Sequence, residues 1–266
     1  MAELWFVGLG LSDERGLSRE AEAALRSAEV VFAEEYTAVA PEGTLDRLAA
    51  ALGRPIERLD RPLLESERPI LDALARHGRV ALLVVGDPFA ATTHVALRLA
   101  AERAGHDWRY VPAASILSAA AGFLGLQHYR FGRTVSLPLE EPGFAPTSPL
   151  EQIAGNRARD LHSLLLLDLR PTEGRFLTAD RALGILRARD PLAVHLPGDA
   201  RAAVVARVGR SDAAGFYGSI DALAVRSFGA PPHAIVVLAP TLHFEEEAAL
   251  ARYAVAAPGG VSPSRA

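Results

Sequence analysis

Lysine and cysteine are absent from this 266-residue chain, asparagine occurs only as Asn156, and Met1 is the sole methionine. All 28 basic residues are therefore arginines. Without lysine there is no Schiff-base nucleophile, no pyridoxal anchor and no P-loop lysine on a phosphate. Without cysteine there is no thiolate nucleophile, structural disulfide, iron–sulfur cluster or Cys-ligated zinc. The eight histidines show neither H-x-x-x-H nor H-E-x-x-H spacing, so no metal is expected. No G-x-S-x-G elbow or Ser/His/Asp order supports hydrolysis through a serine. No apolar run approaches the ~20 residues of a membrane span, and residues 4–7 are too few for a signal-peptide core. A soluble, cytoplasmic protein with no membrane partner is expected. The net charge of −4 argues against a nucleic-acid binder driven by phosphate neutralisation. Scarcity of Asn, Cys and Met fits heat adaptation. A GC-rich genome, which favours Arg and Ala, accounts for the composition equally well.

Half of the residues are hydrophobic, enough for one large or two compact domains. The first part alternates strands at 4–7, 30–33, 80–85 and 108–111 with helices at 19–28, 45–52, 69–77 and 95–104. Such βαβ alternation implies a parallel sheet with helices on both faces. Residues 112–115 form a natural boundary, with Ser115 as N-cap of an apolar helix at 116–124. The second part reads as α/β again. Strands are expected at 134–137, 164–169, 202–208 and 234–238. Helices are expected at 150–161, at 178–189 with Thr178 as cap, and at 244–254. The chain turns rich in Gly, Pro and Ser from residue 258, which predicts a frayed tail. The simplest account is an N-terminal α/β domain at 1–113, a second at 114–257 and a tail at 258–266. A cleft between two such lobes is a common ligand site.

The most informative segment is Gly86-Asp87-Pro88-Phe89-Ala90-Ala91-Thr92-Thr93-His94. It follows an apolar strand and precedes a helix, which places its loop at the carboxyl edge of a sheet, where α/β proteins bind ligands. Gly, Asp and Pro are also ordinary turn residues. Small side chains at Ala90 and Ala91 leave room for a flat or narrow ligand, and Asp87 offers negative charge to a cationic one. His94 is expected to pack or cap at the helix start rather than serve as a base. Gly8-Leu9-Gly10 follows the first strand as a dinucleotide fingerprint would, yet Asp13 occupies the position of the third glycine and would oppose a pyrophosphate. Pro231-Pro232 fixes the backbone ahead of His233, making it a rigid loop histidine. Glu245-Glu246-Glu247 reads as an acidic cluster favouring the N-terminal dipole of the last helix.

In order and spacing, several blocks resemble the diphthine synthases, a branch of the tetrapyrrole-methylase superfamily. They are VGLGLSDERGLS (7–18), FAEEYTAV (32–39), GDPFAATTH (86–94), APTS (145–148), the strand ending Leu167-Asp168, ARVG (206–209) and GAPPH (229–233). Cobalamin and sirohaem methylases continue their first glycine loop as G-P-G-D. This chain has Gly10-Leu11-Ser12-Asp13-Glu14-Arg15, which favours the diphthamide branch.

The resemblance implies two αβα domains of the class III methyltransferase type, with S-adenosylmethionine folded into the interdomain cleft of a homodimer subunit. Carried over by position, its cofactor contacts are Leu11, Asp87, Ala90, Ser115, Ile116, Leu167, Val208 and His233. Relatives are expected to carry Val and Ala where Ala90 and Val208 stand. The implied substrate is a histidine of translation elongation factor 2 that already carries an aminocarboxypropyl group. Its amino nitrogen would be methylated, in archaeal-type relatives up to the trimethylated diphthine. Eukaryotic-type relatives add a methyl ester. No proton acceptor can be named from the residues; Asp87 and His233 are candidates only by adjacency. The alternatives are a precorrin C-methyltransferase of the same fold, a non-catalytic metabolite-binding module and a Rossmann oxidoreductase.

Overall fold

The computed structural model describes residues 1–255 except Glu35 and Ala145. The expected tail at 258–266, the domain end at 257 and one residue each of the FAEEYTAV and APTS blocks lie outside them. The chain forms two compact units. One comprises Met1–Ile116 with Arg170–Gly174, and the other Leu117–Leu169 with the chain from Arg175 on.

The first unit is a five-stranded parallel sheet. Its elements are β1 (Glu3–Gly10), α1 (Arg19–Ser27), β2 (Val30–Glu34), α2 (Thr44–Leu52), β3 (Glu57–Leu59), α3 (Arg61–Glu65), α4 (Arg68–Leu74), β4 (Arg79–Val85), α5 (Val95–Arg103) and β5 (Asp107–Val111). The strands lie in the order β3-β2-β4-β1-β5. The two central strands read as unbroken apolar runs because both of their faces are covered. Alternation divides their side chains. Val7, Leu9, Ala81 and Leu83 pack with Leu25 of α1 and Leu48 of α2. Leu4, Phe6, Val80, Leu82 and Val84 pack on the other face with Ile70 of α4 and Leu97 of α5. The helices that follow β1 and β4 thus lie on opposite faces, and the loops leading to them part above the carboxyl ends of two neighbouring strands.

The second unit contains α6 (Ile116–Leu124, whose first residue closes the first unit), β6 (Val135–Leu137), α7 (Ser148–Arg157), β7 (Ser163–Leu167), α8 (Ala179–Arg189), β10 (Arg201–Ala206), β11 (Ala214–Ser219), α9 (Ile220–Ala224), β12 (His233–Val237) and α10 (Phe244–Ala251). Two short strands, β8 (Leu169–Arg170) and β9 (Arg175–Phe176), pair as a hairpin between β7 and α8. The main sheet runs β11-β10-β12-β7-β6. Only β6 and β7 are parallel; β10 pairs antiparallel with both β11 and β12, and β12 antiparallel with β7. Leu150 and Ile153 of α7, Leu183 and Leu186 of α8, and Leu223 of α9 close one face over Leu165, Val204 and Ile235.

Several expected boundaries move. The strand expected at 202–208 ends at Ala206, because Arg207 takes a positive φ of 53° and turns the chain. The helix expected at 150–161 begins at Ser148 and ends at Arg157, and the one expected to reach 254 stops at Ala251. Thr178 does precede α8, but its side chain makes no capping bond. Glu246, like Glu245 and Glu247, stands in the first turn of α10 as expected, and it also closes a capping box with His243. It is fully buried, while its neighbours Glu245 and Glu247 are exposed.

Candidate functional site

At the first unit's carboxyl edge, the ends of two neighbouring strands, β1 and β4, are stitched together by backbone. Gly10 and Gly86 form an antiparallel bridge, Gly10 N donating to Gly86 O at 3.1 Å and Gly86 N to Gly10 O at 2.8 Å. Both sit at φ +81°, a left-handed conformation that glycine adopts without a Cβ penalty. Leu11 follows this bridge, Asp87 and Ala90 follow the other half of it, and Ser115 and Ile116 follow β5. Five of the eight expected contacts therefore share one edge, although they come from three distant stretches of chain.

Asp87 is 9% exposed, and its carboxylate is already engaged within this unit. Oδ1 accepts from the Phe89 amide at 3.0 Å, while Oδ2 accepts from the Ala113 amide at 3.1 Å and the Tyr110 hydroxyl at 2.6 Å. The side chain ties the loop after β4 to β5 as well as lending charge to the edge. Burial, with the hydrogen bond to Asp87 second, pushes the Tyr110 phenol up to about 12. Asp87→Ala is expected to lower stability by about 1–3 kcal/mol, since it removes the acceptor of three part-buried donors. It is also expected to lower the titration midpoint of one tyrosine part of the way toward the ordinary range in an alkaline ultraviolet titration, since burial remains. An unchanged titration would place Tyr110 outside this network.

The loop after Asp87 closes on the Pro88 carbonyl, which accepts from Thr92 Oγ1 at 2.6 Å and His94 Nδ1 at 2.7 Å. His94 occupies the N-cap position of α5 without a capping bond, so of its two expected roles it packs and does not cap.

The second unit gathers the other three expected contacts. Ala206 pairs with His233, and Ala234 with Leu166. Leu167 and Val208 therefore leave the sheet at the edge where His233 enters it. Arg207 braces this corner and was not singled out from the sequence. Its amide donates to Pro232 O at 2.9 Å, and its guanidinium reaches Asp212 at 2.5 Å and the carbonyls of Phe228 and Ala230.

His233 is 8% exposed, and its Nδ1 accepts from the Ala179 amide at 3.3 Å. It thus takes the place at the head of α8 that the sequence suggests for Thr178. In the neutral ring the proton resides on Nε2, which is buried without a partner of good geometry. Burial, helped by the Arg207 guanidinium, holds the imidazole below its usual range, against the opposing Ala230 and Gly229 backbone.

Among the described residues no group of three His, Asp or Glu could hold a metal ion, and no helix is long and apolar enough to cross a membrane.

The glycine-bridged parallel edge and the buried histidine stand in a chain whose residues 3–224 match the family of tetrapyrrole (corrin/porphyrin) methylases. Within it, the chain belongs to the diphthine synthases and is a methyltransferase of the diphthamide pathway. It is 38% identical over 257 residues to the diphthine synthase of Halorubrum lacusprofundi, covering 92% of this chain and 94% of that one. It is 39% identical over 245 residues to the diphthine synthase of Methanothermobacter thermautotrophicus, covering 91% and 92% respectively. A crystal structure of diphthine synthase superposes with a TM-score of 0.86 at 35% identity, covering 95% of this chain and 96% of the other.

Proposed function

We propose that the chain transfers methyl groups from S-adenosylmethionine to the amino nitrogen of the aminocarboxypropyl-modified histidine of translation elongation factor 2, as far as the trimethylated product. The observation that carries this reading is the near full-length likeness to diphthine synthases. The same reading makes the enzyme a cytoplasmic homodimer with no resident metal.

The residues present suit the cofactor. The second unit's edge offers a buried nitrogen donor, His233 Nε2, without a partner of good geometry among the described residues. The first unit's edge offers the small side chains Ala90, half-buried, and Ala91, exposed, beyond the buried Gly10–Gly86 bridge. Leu11, Asp87, Ala90, Ser115, Ile116, Leu167, Val208 and His233 would be the cofactor's contacts. When bound, the cofactor supplies an electrophilic methyl group on a sulfonium, so the chain needs no nucleophile of its own. What the protein adds is alignment, a negative side chain at Asp87 and a neutral rather than cationic imidazole at His233. Each matches a positively charged donor.

Incubation with tritiated S-adenosylmethionine and unmethylated elongation factor 2 tests the reading. Label on the factor supports it. Label on a precorrin instead would assign the chain to the other branch of its family, and no transfer would leave a binding module. His233→Gln is expected to raise the cofactor KM several-fold while kcat changes little, because its role is contact and not proton transfer. A collapse of kcat at saturating cofactor would overturn that role.

A further inference from the structure

The outer strand of a sheet invites another strand, and most outer strands of the two main sheets are blunted against it. β3 and β6 have three residues each. β11 is closed by residues 253–255, Tyr217 N donating to Tyr253 O at 2.7 Å and Val255 N to Tyr217 O at 2.8 Å. β5 differs. It is five residues long, and among the described residues it pairs with β1 alone. Asp107 N donates to Ala2 O at 2.9 Å, so Asp107, Arg109 and Val111 turn their backbone groups toward β1. Trp108 and Tyr110 turn theirs outward.

The side chains of β5 alternate as well. Asp107 and Arg109 are exposed on the face that carries Glu3 and Trp5, and Arg109 Nε donates to Glu3 Oε1 at 3.4 Å. Trp108 and Tyr110 lie on the other face, edge-on to Phe89 with ring centroids 6.3 and 5.1 Å away. α5 covers that face, and its Arg98 lies over the Trp108 ring at 4.8 Å. Tyr110 is exposed, and so are Val95 and Leu99, one turn apart on α5. Apolar side chains therefore reach the surface beside the open edge. Charge on an edge ordinarily guards it against pairing. Here the two charges differ in sign and stand two residues apart, which makes the strand complementary to itself when antiparallel.

We propose that β5 is the contact between two copies of this chain, joined antiparallel about a two-fold axis at Trp108 into one continuous sheet. A two-fold contact uses the same patch on both copies, as this strand allows. Outward backbone groups bond only outward groups, which leaves few registers. Trp108 opposite the partner's Trp108 sets Asp107 across from the partner's Arg109, and Arg109 across from the partner's Asp107. Opposite charges directly across an antiparallel pair stabilise it, and like charges there destabilise it. One step of register sets Arg109 on the partner's Arg109, and one step the other way sets Asp107 on the partner's Asp107. A second step beyond Arg109 places Pro112, which has no N–H to donate, opposite Trp108. This contact rests on the homodimer in the function proposed above, and not on its substrate.

Asp107→Arg carries two positive charges on the edge, and Arg109→Asp carries two negative ones. Sedimentation equilibrium of the full chain is expected to show a dimer for the parent. Each variant alone is expected to dimerise about 10-fold or more weakly, because like charges then meet across the axis. An equimolar mixture of the two is expected to recover the parental dimer, since each arginine then faces an aspartate. Recovery requires both variants to be folded, so it excludes misfolding as the cause of the loss. If both variants dimerise alone as the parent does, the contact lies elsewhere; β5 is overturned and the homodimer stands. A mixture that stays monomeric also overturns this pairing. A monomeric parent overturns the contact and the homodimer together, while label transfer to elongation factor 2 by the same preparation decides the proposed activity separately.

Discussion

Gly8→Val is expected to abolish cofactor binding and to lower stability by about 1–3 kcal/mol, the usual range for overpacking. A Cβ at Gly8 would stand 2.5 Å from Ala113 Cβ, 2.9 Å from Gly86 O and 3.1 Å from Pro88 Cδ. One of these neighbours is backbone, so no rotamer change relieves the clash. The three belong to the segments after β4 and β5, and the glycine is where the end of β1 passes between them. Forcing them apart would break the Gly10–Gly86 bridge and pull Ala113 away from Asp87. Calorimetric titration with S-adenosylhomocysteine and a thermal melt check both halves of the expectation. Parental affinity in a folded Gly8→Val protein would remove this edge from the cofactor site.

Glu246→Ala is expected to destabilise the chain by about 3–5 kcal/mol, the range for removing one partner of a buried ion pair. The fully buried carboxylate pairs with Arg130 at 2.5 Å and His162 at 3.1 Å, and accepts from the Gln127 and His243 amides, both at 3.0 Å. His162 is fully buried as well and accepts from the Ala239 amide on Nδ1 at 3.0 Å, which sets its proton on Nε2, toward the carboxylate. Burial raises the Glu246 carboxyl, but the His243 and Gln127 amides and His162 outweigh it and hold it below the ordinary value. Burial holds His162 below its ordinary 6.5. In both groups the folded state favours the deprotonated form. Their stabilisation is therefore complete above pH 6.5 and drains away as pH falls through the depressed folded values. Urea unfolding across this range is expected to show a steep acid limb in the parent and a shallower one in Glu246→Gln. Equal limbs would assign acid sensitivity to other carboxylates.

What the sequence reveals of this fold depends on burial. β1 and β4 are legible because they are apolar on both faces, and so is the helix–strand alternation around them. β3, Glu57–Leu59, is a short polar edge, and β11, Ala214–Ser219, carries Gly215 and Gly218 and is half-buried throughout. Neither has the alternation or the apolar run that marks a strand. The glycines of β11 have a tertiary cause, since a Cβ at Gly215 would meet the Tyr253 ring at 2.7 Å and one at Gly218 would meet Val255 at 2.8 Å.

The antiparallel order of the second sheet is likewise set by long-range pairing that no local pattern records. At the site, residue chemistry alone reaches two glycine turns and a rigid histidine, and the remaining contacts come from family likeness. The partners of Asp87 lie 23 and 26 residues further along, at Tyr110 and Ala113, and only folding brings them to it. Glu246 sits between two exposed glutamates, and nothing in a run of three identical residues reveals that the middle one faces inward.

The imidazole that heads α8 has one further consequence. When His233 gains a proton, Nδ1 can no longer receive the Ala179 amide, and the helix loses the group that anchors its first turn. That same event adds a positive charge to the edge proposed to meet a sulfonium. Acidification would thus loosen a scaffold helix and repel the methyl donor through a single ring.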